Sequence, residues 1–536
     1  MSTTCQPEQS LFSSFVNPPS DPSSLISKKF TDRLGTFSKE MDYTEIKSKK
    51  MDNDIDLGSQ ERAKLFRNKR MMASIPLQYM LPLQSVLQID RDKFEAIQSI
   101  RVNPTELLTY SNLLLNSTME EQYTGLVALT KLISIDKPQY QDIFDSGVVP
   151  IIKDFLVSPV SELVYQALVF LTNLSFGDIK DISEITSQDG LIRVIACLDS
   201  RIEEIQSQAI WLLGNLMEKR ELRNEMKRQQ VYEKLTVILS TTECDNVAKQ
   251  SIWALNQYIR KEKFSLEYMN ISPLLPSMVR WIFKAHSNDK LIENALTLLI
   301  LIQEAFKSSN EFLINTNILP QLMTLLSSNV KTIVLLTLRL FGNIILGNAN
   351  ETQIVIDIGL LSYLKMTLKH ESKAIRKETG WIVSNISGGT QLQIEEIFNC
   401  GIYADVLDHI HNDCYDVQYE LFWAVCNLTS TFHQENIAKL LDGGIVHFIK
   451  QFIDNQNSTV VNLGLEALSN LLAYGQTYWR DEMGRNMVGK MLEECGLLDI
   501  LEQLQYSPNQ DTYEKVVELI RRFFQTTEEE AIDVFK

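Results

Sequence analysis

The sequence predicts an all-α protein, a right-handed superhelical solenoid of about ten repeats behind a largely disordered N-terminal segment. Three observations predict it. First, tryptophan and asparagine stand four residues apart at Trp211/Asn215, Trp381/Asn385 and Trp423/Asn427, and the pair recurs about every 42 positions. Val169/Asn173, Trp253/Gln257, Arg339/Asn343 and Glu466/Asn470 keep the same phase with substitutions. Second, a glycine suited to a left-handed turn returns with that period, at Gly147, Gly190, Gly359, Gly401, Gly444 and Gly496. Third, 21 glycines and 14 prolines in 536 residues are too few for the many tight turns of an all-β fold. A content of 44% hydrophobic residues is ample for a long buried ribbon between helix layers.

Self-similarity of this length marks a helical array of the armadillo or HEAT kind, each unit a few packed helices. Residues 1–75 stand apart from it. The run to Phe30 is rich in Ser and Pro and is expected to be disordered. Mixed charges follow, and SQERAKLFRNKRMM has the pattern of a charged helix capped near Ser59, too poor in apolar residues to join a core. The array itself runs from 76 to 526. In its representative unit, Glu351 to Gly389, a short helix ends at Asp357-Ile358-Gly359. A second helix carries Leu360, Leu361, Leu364 and Leu368 at helical spacing, and a third bears the Trp/Asn pair and ends at Ser387-Gly388-Gly389. An insertion near Ala473–Arg485 delays the last glycine, the final unit is read as a cap, and residues 527–536 as a short acidic tail.

Residues i and i+4 lie on one face of a helix, so stacked units set the pairs into a ladder along one concave surface. A lone tryptophan is ordinarily a core residue. Here four of the six tryptophans occupy the same place in the repeat, each followed by a polar side chain that is costly to bury. Asparagine offers both donor and acceptor to a peptide main chain. Indole faces attract ammonium and guanidinium groups by about 0.5–2 kcal/mol each, and make slots for aliphatic stems. Glu378 and Glu420 could meet the charged tips. The pattern suits an extended, lysine- or arginine-rich ligand.

The charge balance agrees: 51 basic against 68 acidic side chains give −17, unsuited to direct nucleic-acid binding and suited to a basic partner. Seven scattered cysteines without a framework spacing read as reduced thiols of an intracellular protein. No run approaches the ~18 apolar residues of a membrane span, and MSTTCQPEQS has no secretory character. Catalysis, cofactor and metal are not expected. Gly489-Lys490 lacks the rest of a phosphate loop, there is no G-x-S-x-G elbow, and His409, His411 and Cys414 lack zinc-finger spacing.

Motif by motif, the chain resembles the importin-alpha family of nuclear import adaptors. QSQAIWLLGNL (206–216), RLFGNIILGNANETQIVID (339–357), RKETGWIVSNISGG (376–389), FWAVCNLTS (422–430) and MLEECGLLDILEQLQ (491–505) read like segments of that family in its order. The resemblance spans roughly Glu120 to Phe524, and an Arg-x-x-x-Asn unit, Arg339/Asn343, divides the ladder into two sets as the family does. It implies a minor site for basic nuclear localisation signals at Arg339, Asn343, Thr352, Lys377, Trp381, Ser384, Asn385, Glu420, Trp423 and Asn427, with Ala349 where an acid is expected. It implies a major site at Asn173, Gly177, Gln208, Trp211, Asn215 and Trp253. There Val169 and Gln257 depart from the pattern, and Lys219 stands where the family places an aspartate that pairs with a cargo lysine, with Glu218 about 100° away on the helix.

The resemblance also implies importin-beta binding through two basic clusters, Lys47, Lys49 and Lys50, then Arg67, Lys69 and Arg70, here interspersed with acids from Asp32 to Glu61. It implies an export receptor at the C-terminal repeats and residence in both cytoplasm and nucleus. The competing reading is an importin-alpha-like scaffold that holds one fixed partner in a structural or cytoskeletal assembly. The altered major site and the diluted basic segment fit that reading as well.

Overall fold

The structure, a computed structural model, describes residues 91–524 except 117, 135–139, 176–186, 263–266, 285–287 and 455–456. The segment 1–75 with the basic residues at 47–70, the tail at 527–536 and Gly177 lie outside the described residues. Every regular element among the described residues is an α- or 3-10 helix, and the sole β pairing is an isolated bridge between Arg480 and Asn486.

The helices repeat in units of the armadillo kind, and seven of the third helices carry the tryptophan–asparagine phase. In chain order the third helices are α1 (Met119–Ile133), α2 (Ser161–Leu174), α3 (Glu203–Leu216), α4 (Asp245–Glu262) and α5 (Asp289–Ala305). There follow α6 (Lys331–Ile345), α7 (Lys373–Ser387), α8 (Tyr415–Leu428), α9 (Ser458–Tyr478) and α10 (Gln510–Phe523). The chain divides into two compact units whose described parts are 91–382 with 413–420, and 383–412 with 421–524. In the first, α1 to α6 pack each on the next; in the second, α9 packs on α10.

One unit shows why these residues fold this way. Asn348 caps Ala349–Asp357, its side chain accepting from the amides of Asn350 and Glu351. Gly359, at φ +99°, turns the chain into Leu360–Leu368, whose Leu360, Leu361, Leu364 and Leu368 are all buried. Helix α7 then ends at Ser387, before two glycines. The boundaries are those the periodicity predicts.

The turn glycine holds at five of its six positions, where φ runs from +70° to +99°. Gly190 is the exception: it lies inside the helix Gln188–Ala196, and its amide donates to the hydroxyl of the capping Ser187. The serine cap satisfies the helix end, so no left-handed residue is needed there. Conversely, Gln230 and Asn317, both at φ +54°, take the left-handed conformation without being glycine. The insertion near Ala473–Arg485 is partly helix. It lengthens α9 to 21 residues, and a turn follows in which Asp481 accepts from the amides of Met483 and Arg485.

No heavy atom would meet a Cβ on Gly359, so Gly359→Ala pays conformational strain alone, about 1–2 kcal/mol of stability. Gln230→Gly should relieve the same strain and stabilise by up to about 1 kcal/mol. Urea midpoints should move in opposite directions; a shift of both the same way would refute the turn assignment.

Candidate functional site

The ladder rings sit neither in the core nor free on the surface. Trp211, Trp253, Trp381 and Trp423 are all half-buried. Trp281, which is out of phase, is fully buried, and its Nε1 donates to the Leu239 carbonyl at 3.2 Å. One indole is a core residue, and four others keep part of their surface open.

What seats them is a residue the repeat pattern alone does not single out. A Cβ on Gly214 of α3 would overlap the Trp253 ring carried by α4. A Cβ on Gly342 of α6 would likewise overlap Trp381 on α7. In each case the indole meets the preceding third helix with the Cζ3 edge of its six-membered ring, over the residue just before that helix's ladder asparagine. The signal was present: Thr172, Gly214, Gly342, Ser384, Cys426 and Ser469, all small, stand immediately before ladder asparagines.

The asparagines are tethered. Asn173 donates to Ser134 Oγ at 3.0 Å, Asn215 to Ser175 Oγ at 3.0 Å, and Asn470 to Thr429 Oγ1 at 3.1 Å. Asn427 donates to the Ser384 carbonyl at 3.0 Å. Each amide therefore spends one N–H on the end of the preceding third helix. That bond orients its carbonyl and leaves one N–H over. Asn343 differs, since its Nδ2 is shielded from solvent and meets no acceptor among the described residues.

Of the remaining major-site residues, Gln208 is buried and donates to Thr172 Oγ1 at 2.8 Å. Gln257 is buried too, and Val169 is half-buried. Lys219 is half-buried where the chain enters Arg220–Arg228, and Glu218 pairs with Lys261 at 3.2 Å. The minor-site residues fall in both compact units. In 91–382 with 413–420, Arg339 faces Glu378 at 3.6 Å and Lys377 faces Glu420 at 3.7 Å, while Thr352 is buried against the Ile345 carbonyl at 3.2 Å. In 383–412 with 421–524, Ser384 is buried, and Asn385, Trp423 and Asn427 are half-buried.

Glu351 is a second residue the sequence reading missed. Ala349 carries no acid, but the Glu351 carboxylate folds back over Gly347, one turn past Asn343, in the space a side chain there would fill. It accepts from Asn348 at 3.1 Å and from Asn310 at 3.4 Å. An acidic group reaches this end of α6 from the first turn of the next helix.

Elsewhere, His411 meets the Gly443 carbonyl at 2.8 Å. Among the described residues no cluster of three His, Cys, Asp or Glu could hold a metal, and no helix is long and apolar enough to cross a membrane.

Residues 486–535 match the family model described as an atypical Arm repeat. Importin subunit alpha-1a of Oryza sativa subsp. japonica is 26% identical over 513 residues, which cover 93% of both chains. Importin subunit alpha-4 of Arabidopsis thaliana is 26% identical over 501 residues, 92% of this chain and 91% of that one. A crystal structure of an engineered protein superposes with a TM-score of 0.64 at 20% identity, over 79% of this chain and all of the other.

The seat is testable directly. Gly342→Ala should destabilise by about 1–3 kcal/mol through overpacking, outweighing the ~1 kcal/mol that alanine gains in helix propensity. Tryptophan emission should shift to the red as the ring lifts; a stabilised variant with unchanged emission would count against the seat.

Proposed function

We propose that this chain, which belongs to the importin-alpha family of armadillo-repeat proteins, is a nuclear import adaptor that holds basic nuclear localisation signals in extended form along its ladder. The observation that carries the reading is the pose of the indoles. Each of Trp253 and Trp381 is fixed by its ring edge on the preceding helix and half-buried, beside a carboxamide in register. A cationic side chain laid on such a ring gains about 0.5–2 kcal/mol. The neighbouring amides can hold its backbone. Individually weak contacts at a regular spacing sum to a usable affinity.

The two sets are not equivalent. The set from Arg339 onward keeps its tryptophans in step and has the Glu351 carboxylate at the end of its first helix, while Glu378 and Glu420 are spent on Arg339 and Lys377. The set from Asn173 to Gln257 has lost a ring at Val169 and carries Lys219. The set from Arg339 to Asn427 is therefore the stronger signal site, and that from Asn173 to Trp253 the weaker. Lys47, Lys49, Lys50, Arg67, Lys69 and Arg70 are assigned to importin-beta.

The rival, a scaffold with one fixed partner, is favoured by that same erosion of the first set. The two part in a pull-down: an adaptor recovers importin-beta and many basic cargoes, a scaffold one stoichiometric partner. Titration of a labelled lysine-rich peptide should show a roughly 2–30-fold loss of affinity for Trp423→Ala, the range of one cation–π contact, and a smaller one for Trp211→Ala. A larger loss from Trp211→Ala would overturn the ranking, and no binding to the intact chain would overturn the reading.

A further inference from the structure

Four residues past each ladder carboxamide, beyond or near the end of its helix, comes a position whose charge differs between the two sets. Past Asn343 it is Gly347, covered by the Glu351 carboxylate; past Asn385 it is Gly389, covered by the Gln393 side-chain oxygen. The slot past Asn343 thus presents a carboxylate, while the Gln393 oxygen past Asn385 is buried and accepts from the Thr390 amide at 3.0 Å, leaving no charge there. Past Asn215 and Gln257 the same positions are Lys219 and Lys261. The first set presents ammonium groups, in a chain whose net charge is −17.

The carboxylates beside these lysines do not reverse the sign. Glu218 is drawn to Lys261 at 3.2 Å, and Glu262 to the buried Arg223 at 2.8 Å. Lys219 is left over: among the described residues its ammonium meets no carboxylate. Nor is it fitted to its structural post. It opens Arg220–Arg228 without any side-chain capping bond, whereas Asn348 and Thr390 at the corresponding ends of the second set both cap. A positive charge there also opposes the helix dipole. Local stability does not account for lysine at this position.

We propose that Lys219 makes the first set selective for an anionic side chain, so that its ligand is an extended peptide with a carboxylate or phosphate at that step among cationic or aliphatic neighbours. The inference rests on the peptide-binding reading above and names the ligand class of its weaker half. Trp253, seated on Gly214, still takes a cationic or aliphatic stem, while the position against Lys219 takes the opposite charge.

The test uses the full chain with Trp423→Ala, so that the first set dominates. Three peptides differ at one scanned position, which carries lysine, glutamate or phosphoserine in an otherwise fixed basic frame. At one register, glutamate and phosphoserine should bind roughly 5–10-fold tighter than lysine, as expected of one charge-assisted contact. Lys219→Glu should invert the order and Lys219→Met should level it. Phosphoserine well above glutamate identifies a phosphate-reading slot, and equal affinities a carboxylate-reading one. Lysine binding best at every register, or no peptide binding at all, overturns the proposal. The parent reading is judged separately on the Trp211→Ala chain, where the all-lysine peptide must still bind.

Discussion

Close approach of successive third helices is the constraint on which the rest depends. An indole edge can reach the backbone of the preceding helix only where that helix offers little or no side chain, and Gly214 and Gly342 offer none. The contact stacks one unit on the next. It also fixes the ring edge, so the exposed part of Trp253 and of Trp381 is a by-product of how the array is held together. Binding surface and inter-unit packing are then one feature, and a change in the seat alters both.

The asparagines divide their hydrogen-bonding capacity in the same way. One N–H reaches back to the end of the preceding third helix, as from Asn215 to Ser175 and from Asn470 to Thr429. A free carboxamide would rotate; a tethered one presents its carbonyl in a fixed direction and has less rotamer freedom to lose on binding. Asn343, whose Nδ2 has no described acceptor, stands at Arg339, where the ladder changes from one set to the other.

Charge on these helices is largely consumed between neighbours. Arg339 with Glu378 and Lys377 with Glu420 pair α6 with α7 and α7 with α8, and Arg223 of Arg220–Arg228 pairs with Glu262 of α4. The sign a ligand meets is therefore decided by what is left after pairing. At Gly347 that is the Glu351 carboxylate, and past Asn215 it is the Lys219 ammonium. Related units differ in sign by one or two side chains on an unchanged backbone.

The array and its phase were legible because both follow from local rules. Period 3.6 puts residues four apart on one face, and a left-handed turn asks for glycine, so α6 to α8 and the turn at Gly359 could be read directly. Gly190 misled because a serine cap can end a helix start without a left-handed residue, and Gln230 and Asn317 were invisible because the array holds them in a conformation that glycine more often supplies. The remainder lay beyond local reading. Seat and ring, or asparagine and tether, are about 40 residues apart in sequence, and Glu351 reaches Gly347 only through the geometry of a helix start. The chain by itself determined which residues recur and on which helix face; only the packing of helix against helix decided which polar atoms were already spent, and so what charge and which ring surface remain for a ligand.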